Sequence, residues 1–379
     1  MSIKQHFNPV RLVMGKGAVR ALPQEISKFG KKCLLVVQDN CSAMTEIKKG
    51  IEDILSEGGI AYDVFSDIRP NPLMSDIKKG IQMVKNNKYD AVIAVGGGSV
   101  IDTGKILSIS NDYEIDWPAA FGGQMIIDNK KRLPLLSVPT TAGTGSHCTQ
   151  AAVISDDNNI KHSIYSFDFF SAVAFVDYSL TMSLPGMLTA STGFDAFCHL
   201  SESYIMGNLS PIMEIMNVDA MKKIADVLPK LMLENKEEYR EIMSVCDSCA
   251  GICLSNGGAI VPHAFGETIS SQIYRINHGM SLAICYPPFV EHFYNHTEYG
   301  RRIKDVAEII NKEGSEIKDG KQARAVMEKF IGSLGIKYKL KDYGASEEET
   351  AKIKEGYLAQ RRFKPEEVAG IIEDICGGM

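Results

Sequence analysis

The sequence has 379 residues, 45% hydrophobic and 23% charged, the make-up of a globular protein large enough for two domains. A formal net charge of −6 and a pI near 5.8 offer no basic field to attract a phosphate chain, which argues against a nucleic-acid partner. No apolar run approaches the roughly 18 residues of a membrane helix. The first six residues lack an apolar signal core, and nine cysteines scattered from Cys33 to Cys376 read as reduced thiols, so a cytoplasmic protein is expected.

In chain order, Lys32 to Val37 is a short apolar run of buried-strand type, closed by a polar turn at Gln38-Asp39-Asn40. Ile47, Ile51, Ile54 and Leu55 then recur at helical spacing between Thr45 and Gly58. A second strand is predicted over Asp90 to Val95, ended by Gly96-Gly97-Gly98, and two more over Leu133 to Pro139 and Ala172 to Val176. Strands alternating with helices imply a mostly parallel sheet covered on both faces. From about Leu180 the pattern turns helical, with Ile212, Ile215, Met216, Ala220 and Ile224 at three- and four-residue spacing. The expected organisation is an α/β nucleotide-type domain over 1–180 and an all-helical domain over 181–379. The polar stretch Asn311 to Lys321 reads as a surface helix end and loop.

Gly96-Gly97-Gly98-Ser99 joins a predicted strand to a helix beginning Val100-Ile101-Asp102. Glycines there let backbone approach a ligand, and a helix start offers N–H groups to an anion such as a pyrophosphate; an unliganded tight turn fits equally. The G-x-G-x-x-G fingerprint is absent, since Gly15-Lys16-Gly17 is followed by Arg20 and Gly143-Thr144-Gly145 by Cys148, so a dinucleotide must bind in another way. Asp195 and His199 stand four apart, on one helix face, and His263 and His278 follow. One carboxylate and three imidazoles suit a borderline divalent ion, although spacing alone favours hydrogen-bonded core residues. Cys246, Cys249 and Cys253, at helical spacing in an apolar segment, read as buried thiols. Neither a Y-x-x-x-K nor a G-x-S-x-G pattern occurs.

These pieces, in this order, resemble the iron-containing (group III) alcohol dehydrogenases, which include lactaldehyde reductase, propanediol dehydrogenase and butanol dehydrogenase types. The resemblance runs over the whole length. It rests on Asn71-Pro72, Gly96 to Asp102, Pro139-Thr140-Thr141-Ala142-Gly143-Thr144-Gly145-Ser146, Leu184-Pro185, Thr192 to His199, and His278-Gly279. It implies an N-terminal Rossmann-like parallel-sheet domain followed by a C-terminal helical domain, in a dehydroquinate synthase-like architecture. It implies a nicotinamide-linked dehydrogenase for a small alcohol or aldehyde, working as a homodimer or larger homo-oligomer. Asp195, His199, His263 and His278 would hold a divalent metal, iron first, with zinc or nickel as alternatives. Gly97, Gly98, Ser99 and Asp102 would surround the cofactor pyrophosphate, and Asn71, Thr140, Thr141, Thr144, Lys161 and Leu180 would line the rest of the dinucleotide cleft. Asp39 stands where a carboxylate can accept from ribose hydroxyls and repel a 2′-phosphate, which favours NAD over NADP.

Three positions depart from the family pattern. His147 follows Ser146 where an acid is usual. The last two ligands are fifteen apart instead of fourteen. Glu267 occupies a place, four after His263, where a second histidine is common. Helical spacing puts Glu267 on the His263 face, as a proton relay or as an acceptor that orients a ligand.

Overall fold

The computed structural model describes residues 3–123, 131–359 and 364–377. The chain divides into two compact units, Phe7–Leu184 and the combination of Met1–His6 with Pro185–Met379. The division falls slightly beyond the expected 180/181, because Leu180 packs onto the core of the first unit.

The first unit runs β1 (Arg11–Met14), α1 (Leu22–Ile26), β2 (Lys32–Val37), α2 (Ser42–Glu57), β3 (Ala61–Phe65), α3 (Met74–Asn86), β4 (Ala91–Gly96), α4 (Gly98–Ile109), α5 (Trp117–Phe121), β5 (Leu135–Pro139), β6 (Ala151–Ser155), β7 (Lys161–Tyr165) and β8 (Val173–Val176). Six strands form a parallel sheet in the order β1-β8-β5-β4-β2-β3, and β6 and β7 form a separate antiparallel pair. Side chains alternate across the pleat. Cys33, Leu35 and Val37 turn to one face with Leu22 and Ile26 of α1 and Ile51 and Leu55 of α2. Leu34 and Val36 turn to the other, with Ile77, Ile81 and Val84 of α3 and Val100, Ile101 and Leu107 of α4. Both faces are covered, so the central strands are mostly apolar, as their sequences predict, with Ser137 of β5 the buried polar exception, hydrogen-bonded to Ser171. Helix α4 is buried almost all round, since Ala152, Ile154 and Ile164 of the β6–β7 pair join the same cluster.

The chain leaves β2 outward to β3, returns to β4 on the other side of β2, and leaves β4 toward β5. Connections from the carboxyl ends of β2 and β4 therefore run in opposite directions. A crevice opens at such a switch point, and ligands of open α/β sheets bind there.

The second unit holds α6 (Gly186–Ile205), α7 (Pro211–Leu233), α8 (Glu237–Gly257), α9 (Val261–Gln272), α10 (His278–Phe293), α11 (Gly300–Ile310), α12 (Gly320–Ser333), α13 (Glu347–Ala359) and α14 (Pro365–Cys376). Helix α6 packs against α7, α8 and α10, and Phe194 and Phe197 meet Tyr286 and Phe330 in edge-on and tilted ring contacts around it. The N-terminal segment joins this unit through Lys4 Nζ, which donates to the Gly207 carbonyl at 2.9 Å. Cys246 and Cys253 are buried, Cys249 is half-buried, and all nine cysteines are free. Among the described residues no single helix is long and apolar enough to cross a membrane.

Candidate active site

Helix α6 carries Asp195 and His199 one turn apart, both buried. His263 lies in the first turn of α9, and His278 is the first residue of α10. The Oδ1 of Asp195 stands 3.6 Å from Nε2 of His199, 3.5 Å from Nε2 of His263 and 3.7 Å from Nε2 of His278. Donor atoms of Asp195, His263 and His278 all lie within 4.8 Å of one another, and the His199 ring stacks on that of His263 with centroids 4.5 Å apart. Four ligands at about 2.1 Å from one tetrahedral ion are separated by about 3.4 Å, close to what is found. Asp195 Oδ1 and His263 Nε2 are buried and take part in no hydrogen bond. Buried polar atoms are almost always satisfied, so these two, aimed at one point, fit a cation. Burial alone would raise the Asp195 carboxyl, but the His199 and His278 charges outweigh it and hold it down to about 2.

The loop before α10 is fixed to α6. Asn277 caps α10 by accepting from Met280 N–H at 2.9 Å, and its Nδ2 donates to Ser191 Oγ at 3.1 Å. A Cβ on Gly279 would stand 1.9 Å from the Ser191 carbonyl oxygen, so only glycine lets α10 approach close enough to bring His278 in.

Sequence reasoning missed Glu202. It is fully buried, its Oε1 lies 2.6 Å from His263 Nδ1, and its Oε2 accepts from Ile260 N–H at 2.8 Å. A carboxylate there makes Nδ1 the donor and turns Nε2 toward Asp195, where it offers a lone pair once its own proton is lost. Burial disfavours a charged His263 ring, but the carboxylates of Glu202 and Asp195 together outweigh it and raise the ring to about 10 without a metal. The signal was available: Asp195, His199 and Glu202 stand at i, i+4 and i+7. Glu267 lies one turn beyond His263 in α9 and is half-buried; it is not among the three clustered donors.

In the first unit, Gly96 ends β4 and Gly98 begins α4. Gly97 has φ −78°, so close packing rather than a left-handed backbone demands these glycines. A Cβ on Gly97 would meet Thr141 Cγ2 at 3.3 Å, and one on Gly98 would meet Thr144 Cγ2 at 2.9 Å. Thr140 N–H donates to the Gly96 carbonyl at 3.0 Å, so the threonine loop lies directly on the glycine turn. Asn71, at φ 56°, donates its backbone N–H to Ser99 Oγ at 3.3 Å. Ser155 N–H donates to the Pro72 carbonyl at 2.9 Å, and Lys161 pairs with Ser155 across the hairpin, which links Lys161 to the same rim. Leu180 sits in a 3₁₀ turn against the core below the sheet's other face. Asp39 follows β2, across the switch point from Gly97. Its Oδ1 accepts from Thr45 Oγ1 at 2.5 Å and its Oδ2 pairs with Lys48 Nζ at 2.8 Å. The hydrogen bond from Lys48 and then that from Thr45 hold its carboxyl below the usual range.

Asp102 is turned into the protein. Its Oδ1 accepts from Ser146 Oγ at 2.5 Å and its Oδ2 from Val153 N–H at 3.0 Å. Lys105, fully buried, donates to Ser146 Oγ at 2.7 Å, Thr149 Oγ1 at 2.9 Å and the Ala151 carbonyl at 2.5 Å, and lies 3.4 Å from Asp102. This network ties α4 to the threonine loop. His147 is also fully buried, and burial, then the Lys105 charge, lowers it to about 3. A neutral ring thus stands where an acid is usual in the family.

Comparison with known proteins identifies the family. Residues 9–178 match the family model described as iron-containing alcohol dehydrogenase, and residues 189–370 match the C-terminal model of the Fe-containing alcohol dehydrogenase family. The chain is 28% identical to the NAD-dependent methanol dehydrogenase of Bacillus methanolicus, covering 98% of this chain and 93% of that one. It is 29% identical to the lactaldehyde reductase of Escherichia coli K12, over 91% and 90% of the two. The crystal structure of sulfoacetaldehyde reductase from Bifidobacterium kashiwanohense in complex with NAD+ superposes with a TM-score of 0.83 at 25% identity, over 99% and 97% of the chains. With both of its units matched, the chain belongs to the iron-containing alcohol dehydrogenase family.

Proposed function

We propose that the protein is a metal-dependent, NAD(H)-linked alcohol dehydrogenase that interconverts a small alcohol or diol with its aldehyde or ketone. The observation that carries this reading is the gathering of the Nε2 atoms of His199, His263 and His278 at 3.5–3.7 Å from Asp195 Oδ1. These residues would hold a divalent ion, Fe2+ by family membership, with Zn2+ and Ni2+ sharing the ligand types. When bound, such an ion supplies Lewis acidity that polarises a carbonyl and eases loss of an alcohol proton. Glu202 fixes the His263 tautomer, and Glu267 is assigned the transfer of a proton between the reacting oxygen and solvent.

In the sheet unit, Gly97, Gly98 and Ser99 present backbone N–H groups to a pyrophosphate at the start of α4. Asn71, Thr140, Thr141, Thr144, Lys161 and Leu180 line the remaining dinucleotide site, and Asp102 positions the threonine loop through Ser146. Asp39 accepts from the adenosine ribose hydroxyls, which favours NAD(H) over NADP(H). The named NAD-dependence of the methanol dehydrogenase and the NAD+ bound to the sulfoacetaldehyde reductase support that preference. A dehydroquinate synthase-type lyase is not favoured, since the relatives are alcohol dehydrogenases and aldehyde reductases. A cytoplasmic location fits the nine free cysteines, and a homodimer or larger assembly is part of the same proposal.

The test is a 340 nm assay of the Fe2+-reconstituted protein with NAD+ and a panel of C2–C5 alcohols and diols, and with NADH and the matching aldehydes. Metal-dependent, chelator-sensitive formation of NADH is expected. Absence of any net change in NADH across the panel would overturn the reading.

A further inference from the structure

The pair Asp39–Lys48 holds more information than the aspartate alone. Thr45 and Lys48 lie three apart on α2, on the face turned to the end of β2, and each takes one oxygen of the Asp39 carboxylate. The pair is only partly exposed, at 32% for Asp39 and 21% for Lys48. It stands at the β2 side of the switch point, beside the β4 side where the glycine turn begins. A lone carboxylate here would repel a 2′-phosphate. A carboxylate neutralised at 2.8 Å by an ammonium repels it much less, and the ammonium becomes an attractive charge when the carboxylate is removed.

We propose that Lys48 is a latent anchor for a 2′-phosphate, and that Asp39 keeps the site tuned to NAD(H) mainly by occupying Lys48. This rests on the reading that the adenosine ribose lies beside Asp39. Two charges on one helix turn and one strand end therefore set cofactor preference together, and neither substitution alone reveals the device. Lys48 is a specificity-determining residue for the adenosine end of the cofactor and has no part in the chemistry at the nicotinamide.

The experiment is a four-cornered cycle of wild type, Asp39→Asn, Lys48→Met and Asp39→Asn/Lys48→Met. Isothermal titration calorimetry measures dissociation constants for 2′,5′-ADP and 5′-ADP, and their ratio within each protein removes any general loss of binding. Asp39→Asn is expected to shift the ratio toward 2′,5′-ADP by about tenfold. The double variant is expected to lose that gain, and Lys48→Met alone to shift the ratio toward 5′-ADP. The ratio of kcat/KM for NADP+ and NAD+ should follow the same order. A double variant that keeps the full gain of Asp39→Asn overturns the role of Lys48 while leaving the dinucleotide reading intact. Failure of 5′-ADP to bind any of the four proteins overturns the dinucleotide reading, and this inference with it.

Discussion

Glu202 accepts from both the His263 ring and the Ile260 backbone N–H, so one buried carboxylate joins that imidazole to the turn that starts α9. Glu202→Gln keeps the shape but removes the charge and makes one of the two acceptors a donor. The expected outcome is metal affinity weaker by about 10–100-fold, measured by competition with a chromophoric chelator, with the helical circular-dichroism spectrum retained. Glu202→Asp, which keeps the charge, should recover part of the loss. Equal affinity in wild type and Glu202→Gln would leave His263 oriented by something else.

Metal affinity should also depend on pH in a defined direction. Burial works against a charged His263, yet Glu202 and Asp195 together prevail and keep the ring protonated up to about pH 10 in the metal-free protein. An entering cation must displace that proton. Affinity therefore rises between pH 7 and pH 9, by about tenfold per unit from this group. Asp195 adds no slope there, because its carboxyl is held down to about 2. One proton released per ion, read with a pH indicator in weak buffer, is the expected stoichiometry. Binding without proton release would contradict it.

Gly98→Ala places a methyl group 2.9 Å from Thr144 Cγ2. Overpacking of this kind costs about 1–3 kcal/mol, divided between a lower melting temperature and weaker binding of 5′-ADP. Thr144→Ser in the same protein removes the clashing methyl and should restore melting temperature first. A Gly98→Ala protein that binds 5′-ADP as tightly as wild type would show that the threonine loop yields freely.

Lys105→Met removes the buried ammonium from three acceptors and from Asp102. A carboxylate left buried without its counter-charge costs about 3–5 kcal/mol. The measurement is urea unfolding followed by tryptophan fluorescence, whose sole reporter is Trp117 in the same unit. The expected result is an earlier transition there, with metal binding by the helical unit unchanged.

Glu267→Gln tests the proton-relay assignment. Turnover should fall by about 100-fold or more, with metal content and 5′-ADP affinity kept. Weaker metal retention with modest kinetic loss would instead mark Glu267 as a residue that orients a ligand. Unchanged kinetics and metal content would leave it with neither role.

Local pattern sufficed where burial on both faces wrote continuous apolar runs, as in β2, β4 and β5, which lie within a residue or two of their predicted bounds. Edge strands β1 and β3 escaped because Arg11-Leu12-Val13-Met14 and Ala61-Tyr62-Asp63-Val64-Phe65 are half-exposed and mix polar with apolar residues. The β6–β7 pair escaped for a different reason: its job is to cover α4, a long-range contact that leaves little local periodicity. At the site, Asp195 and His199 were legible from helical spacing. The grouping of His263 and His278 with them came only through the family resemblance, because it depends on Gly279 pressing against Ser191 and on the Asn277 cap. Glu202 was legible and overlooked, as a buried acid looks like any other glutamate in a string of letters.

Helix α6 carries Asp195, His199 and Glu202 within two turns, and this governs where the gene can change length. One inserted residue in that stretch would swing every later side chain by about 100° around the axis, separating the three at a stroke. The connection from Ile273 to Asn277 is under no such rule, because the Asn277 cap and the Gly279 contact reset α10 however long the approach. Insertions and deletions should therefore accumulate before Asn277 and be purged from Asp195 to Glu202, so that libraries meant to reshape this site are best diversified in length at the first place and in side chain alone at the second.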